Sequence, residues 1–85
     1  MSIDEHTIQV IGQFTERLPA EFIEECRSLA RDNEWGLAIE NLCTQLYEYD
    51  VRPSVPELDE IRRLAESAGL KDDTWNFLVS QVSST

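Results

Sequence analysis

Any chemistry in this chain would have to come from a short inventory: one histidine, His6, two cysteines, Cys26 and Cys43, and a surplus of carboxylates. A metal centre needs Cys, His or acidic side chains clustered at ligand spacing. His6 stands alone near the start, the cysteines lie in different segments, and no CxxC or HExxH pattern occurs. The sequence therefore predicts no metal site. A nucleophile needs a base beside it, and with a single histidine a Cys–His pair would have to be assembled by tertiary contacts alone. Paired carboxylates could perform general acid–base chemistry, but here the acids fall mainly opposite the apolar stripes, where they read as solvated. The expectation is a chain that works without catalysis and without a cofactor.

Charge narrows the choice further. Seventeen acids against seven bases leave a net charge of −10. Such a field repels nucleic-acid phosphates and anionic lipid surfaces and attracts basic partners. Nucleic-acid recognition needs a basic face. The one adjacent basic pair, Arg62 and Arg63, is flanked by Asp59, Glu60 and Glu66, which predicts pairing within its own helix surface. Neither direct nucleic-acid binding nor membrane binding is expected. No apolar run approaches the roughly 20 residues that cross a bilayer, and "MSIDEHTIQ" lacks the basic-then-apolar order of a secretory leader. A cytoplasmic location follows as the expectation, with Cys26 and Cys43 as thiols on apolar stripes rather than a disulfide.

Protein binding is the class that remains, and "NEWGLAIENLCTQLYEYD", residues 33–50, is where it would reside. At about 100° per residue, Trp35, Ala38, Ile39, Leu42, Cys43, Leu46 and Tyr49 form one stripe. Leu37, Glu40, Thr44 and Glu48 turn away from it, and Tyr47 lies at its flank. Leu37 has two readings, either covered by another helix or exposed as an anchor. Phe77, off the stripe of the last segment, poses the same choice, and packing is the expectation there. Tyr47 beside Glu40, Glu48 and Asp50 reads as an aromatic anchor within an acidic patch, because tyrosine combines a large rigid area with a polar tip. The candidate partner-binding set is Leu37, Glu40, Thr44, Tyr47, Glu48 and Asp50.

The elements that must position this set are all helical. Eighty-five residues make one domain, 1–85. The first helix is predicted over residues 4–18, capped by Ser2 or Asp4, with Thr7, Val10, Ile11, Phe14 and Leu18 inward and Gly12 off the face. Pro19 fits the first turn of a second helix, whose stripe is Phe22, Ile23, Cys26, Leu29 and Ala30. The third helix spans residues 34–50 and is expected at the centre. Ser54 and Glu57 match a capping box ahead of Leu58, Ile61, Leu64, Ala65 and Ala68. Gly69 is a left-handed stop with Leu70 packing back. Asp72 or Asp73 caps a last helix carrying Trp75, Leu78, Val79 and Val82, and the terminal "SST" is expected to fray. The fold class is all-α, a compact bundle or orthogonal array of about five short helices.

Residues 34–70, "EWGLAIENLCTQLYEYDVRPSVPELDEIRRLAESAGL", resemble the MafI-type immunity proteins of bacterial interference systems. The resemblance rests on Glu34, Gly36, Leu37 and Ala38, then Glu40, Leu42, Leu46 and Glu48, a short loop with Pro and β-branched residues, and an Ile–x–x–Leu–Ala helix (Ile61, Leu64, Ala65) ending in Gly–Leu. It implies a small cytoplasmic helical protein that binds and blocks a cognate toxin. That toxin is usually the C-terminal nuclease module of a polymorphic or contact-dependent growth inhibition toxin. It implies no catalytic residues. A nuclease holds its substrate in a basic cleft, to which a domain of net charge −10 is complementary. The competing expectation is an acidic helical adaptor or regulatory subunit for a non-toxin protein.

Overall fold

The computed structural model, which describes residues 2–82, contains four α-helices: α1 (Ile3–Gly12), α2 (Ala20–Arg31), α3 (Trp35–Glu48) and α4 (Val55–Ser67). Two 3-10 stretches, Asp72–Thr74 and Asn76–Gln81, follow as one C-terminal segment. There is no strand among the described residues, so the fold is the expected all-α array. The expected fraying of "SST" falls outside the described residues.

Helices this short do not hold in water alone and must bury a face on one another. α3 is the hub, packing on α1, α2, α4 and both 3-10 stretches. Its Ala38, Ile39, Leu42, Cys43 and Leu46 are buried, as the stripe requires. They meet Val10, Ile11 and Phe14 from the first segment, Ile23, Cys26 and Ala30 from α2, and Ile61, Leu64 and Ala65 from α4. Both cysteines are free thiols within this core. Burial, with lesser help from the nearby Glu25 charge, pushes the Cys26 thiol up to about 11. Burial, then Cys26 and the Glu40 charge, pushes Cys43 up to about 12.

The ends of the helices are set by local chemistry. Ser2, rather than Asp4, caps α1 by accepting from the Glu5 backbone N–H. The capping box of α4 is complete: Ser54 Oγ accepts from Glu57 N at 3.2 Å, and Glu57 Oε1 accepts from Ser54 N at 2.8 Å. Three helices stop in the same way. After α4, Gly69 (φ 76°) turns left-handed, Leu70 N donates to Ala65 O at 2.9 Å and Gly69 N to Glu66 O at 3.1 Å. After α3, Asp50 (φ 53°) does so, with Val51 N donating to Leu46 O and Asp50 N to Tyr47 O. After α2 it is Asn33 (φ 65°), with Glu34 N on Leu29 O and Asn33 N on Ala30 O. Each is a Schellman stop, which satisfies carbonyls that the last turn leaves bare.

Four expectations need correction. The first helix ends at Gly12 rather than near residue 18. Beyond it the chain tightens into i→i+3 turns, with Phe14 N on Ile11 O, Thr15 N on Gly12 O and Arg17 N on Phe14 O. Gly12 weakens the helix, and Pro19 bars the helical region to the residue before it. Phe14 and Leu18 stay buried all the same. Pro19 is the N-cap of α2 and stands outside its first turn. Tyr49 lies one residue past α3 and is 50% exposed, its ring tilted against Phe22 at 5.5 Å, so it leaves the core stripe. The last segment is 3-10 rather than α, and neither Asp72 nor Asp73 caps it: both lie inside its first stretch, after Lys71. At three residues per turn, i and i+3 share a face. Leu78 and Gln81 therefore turn inward together, while Val79 is rotated out to 57% exposure.

Candidate protein-binding face

The solvent side of α3 assembles from its own periodicity. Leu37, Glu40, Thr44 and Tyr47 follow one another at intervals of three or four, and Glu48 lies four on from Thr44, which places all five along one side of the helix. All five are exposed, Leu37 by 48% and Tyr47 by 53%. Leu37 is exposed rather than covered by another helix, whereas Phe77 is half-buried and packs against the core. Two large apolar side chains on an otherwise acidic helix face make an anchor-type surface. Among the described residues, Glu40, Glu48 and Asp50 enter no ion pair.

Tertiary packing adds partners from the C-terminal segment. The Phe77 ring meets Tyr47 edge-on, centroids 5.5 Å apart and planes at 89°, a favoured quadrupole arrangement. Beside this pair lies a shallow hollow of about 340 Å³, walled by Glu40 and Thr44 of α3 and by Asp73, Thr74 and Phe77. Gln81 fastens the segment there: its Nε2 donates to Leu46 O at 3.4 Å and Val51 O at 3.3 Å, at the end of α3.

The six predicted residues thus separate. Glu40 and Thr44 line the hollow, Tyr47 adjoins it through Phe77, and Leu37 and Glu48 extend the face along α3 without lining it. Asp50 is exposed beyond the helix end and serves as the left-handed stop of α3. Asp73, Thr74 and Phe77 were not among the predicted residues. Their proximity to α3 is a tertiary fact with no local signal beyond Phe77 being off its stripe.

Elsewhere, several charges are engaged with one another. Arg62 pairs with Asp59 and Glu66, and Arg63 with Asp59, within α4 as expected. Arg17 grips Glu57 through both guanidinium ends while lying 4.5 Å over the Phe14 ring. His6 Nε2 lies 2.8 Å from Glu60 Oε2, tying α1 to α4. No group of three or more His, Cys, Asp or Glu side chains converges at metal distance among the described residues, and none of the described helices is long and apolar enough to cross a membrane. A second hollow, of about 320 Å³ and largely apolar, lies between α4 and the C-terminal segment, lined by Val55, Leu58, Trp75, Val79 and Val82 among others. Compared with protein-family models, with curated proteins and with solved structures, the chain finds no match in any of the three.

Proposed function

We propose that the chain is an immunity protein: a cytoplasmic, non-catalytic inhibitor that binds a cognate toxin one to one. The toxin domain carries a basic surface and belongs to the nuclease modules of polymorphic or contact-dependent growth inhibition toxins. One observation carries the reading. On a rigid central helix, Leu37 and Tyr47 stand exposed beside acids that have no cationic partner among the described residues. Unspent negative charge raises the encounter rate with a positive cleft, and the apolar pair supplies contact area once the surfaces meet. The resemblance over residues 34–70 falls on α3, the loop after it and α4 with its stop, so it includes this face.

The test is direct. The purified protein is mixed with the toxin domain encoded by the neighbouring gene, and binding is followed by calorimetry and toxin activity by substrate cleavage. The expected result is a one-to-one complex without residual cleavage. Tyr47→Ala and the double reversal Glu40→Lys/Glu48→Lys weaken the complex without loss of helicity. Leu46→Ala serves as the folding control, losing about 2–5 kcal/mol of stability from a core cavity. Absence of both binding and inhibition ends the proposal.

A further inference from the structure

We infer that the hollow between α3 and the C-terminal segment is the seat for a single arginine side chain of the protein partner. This rests on the reading that the α3 face meets a basic protein, and it adds Asp73, Thr74 and Phe77 to the interface. Acids alone would not single out this place, since they are spread over the whole chain. Three things coincide here. The surface is concave, with one wall from α3 and the other from the 3-10 segment. Its four polar side chains, Glu40, Thr44, Asp73 and Thr74, make no hydrogen bond or ion pair among the described residues, whereas Glu24, Glu57, Asp59 and Glu66 each hold an arginine. An aromatic ring, Phe77, completes the lining.

Acceptors on both walls suit a planar guanidinium, which offers five N–H donors in a fixed fork, better than an ammonium, which is a compact point charge. The aromatic ring offers a guanidinium a further partner. The same molecule uses this combination once already: Arg17 sits over the Phe14 ring and is held by the Glu57 carboxylate. In the hollow the carboxylates and the ring are in place and the cation is the part that a partner would bring.

The test uses small probes and does not depend on a toxin. Nα-acetyl-arginine N-methylamide, its lysine counterpart and its citrulline counterpart are each titrated into isotope-labelled protein at physiological salt, and backbone amide shifts are followed by NMR. The arginine probe is expected to move the amides of Thr44, Thr74 and Phe77 saturably. Lysine should bind roughly fivefold more weakly, about one hydrogen bond's difference. Citrulline, of the same shape but uncharged, should leave them unmoved, as should arginine added to Glu40→Gln/Asp73→Asn protein. Equal response to citrulline or lysine, shifts scattered over all acidic surfaces, or an undiminished response in the double variant each overturns the assignment. A failed toxin pull-down with a positive probe titration would remove the immunity reading and leave the seat standing.

Discussion

The Glu57 carboxylate accepts from the Ser54 backbone N–H and from both ends of the Arg17 guanidinium, so one proton placed on it loosens two elements together. Arg17, then the Ser54 backbone N–H, holds this carboxyl below its ordinary value of 4.5 against the opposing effect of burial. A carboxyl whose folded value is depressed contributes stability that is complete above the ordinary value and is lost as pH falls through the lowered one. Urea midpoints followed by circular dichroism should therefore fall between about pH 5 and pH 3, and less steeply in Glu57→Gln. Because Arg17 is more than a third exposed, the pair contributes about 1 kcal/mol at most. The buried thiols bear on the opposite end of the scale. Their folded values of about 11 and about 12 leave them protonated at neutral pH, and the thiolate is the reactive form. A thiol reagent should modify both promptly in denaturant and slowly in native buffer; rapid native labelling would contradict their burial.

At the scale of elements, the three Schellman stops differ in what occupies the left-handed position. Gly69 carries no penalty there, and a Cβ built on it meets nothing within 4 Å, so Gly69→Ala should cost roughly 1–2 kcal/mol from backbone conformation alone. Asp50→Gly should hold or raise the melting temperature of the isolated protein. The capping box and the Gly69 stop were legible in the sequence because their signals lie within four residues of one another. The role of Asp50 was less so: a carboxylate after an aromatic-rich helix reads equally well as surface charge. The last segment shows why a period fails over one turn. Trp75, Leu78, Val79 and Val82 fit 3.6 residues per turn, but the 75–78 and 79–82 spacings fit three as well, and only the step from Leu78 to Val79 separates the two. Such turns have poorer hydrogen-bond geometry than an α-helix, and this one buries Leu78 as its one fully enclosed side chain. Its amides should exchange with deuterium well before those of α3, and Leu78→Ala should accelerate them further while α3 stays protected.

Across the whole molecule, charge is distributed unevenly between use within the fold and display. Arg17, Arg27, Arg62 and Arg63 are each held by a carboxylate, which leaves most of the seventeen acids without a basic neighbour among the described residues. The surplus acts at a distance and is screened over about 8 Å at physiological ionic strength. Association with a basic partner should therefore slow steeply as salt is raised, with dissociation changing far less; stopped-flow mixing separates the two rates. Half of the proposed face was readable in advance, since Leu37, Glu40, Thr44 and Tyr47 follow from the period of one helix. The other half was not, because only packing brings Asp73, Thr74 and Phe77 to it. The tryptophans extend this division into spectroscopy. Trp35 in the first turn of α3 and Trp75 between the two 3-10 stretches both bury an indole N–H with no acceptor among the described residues. Exchange of either for Phe breaks no hydrogen bond made among the described residues, so its cost should be limited to the packing that the smaller ring gives up. Each single-tryptophan protein then glows from one place only, the helical hub or its C-terminal strap. Emission recorded along a denaturant ramp would reveal whether the strap lets go first.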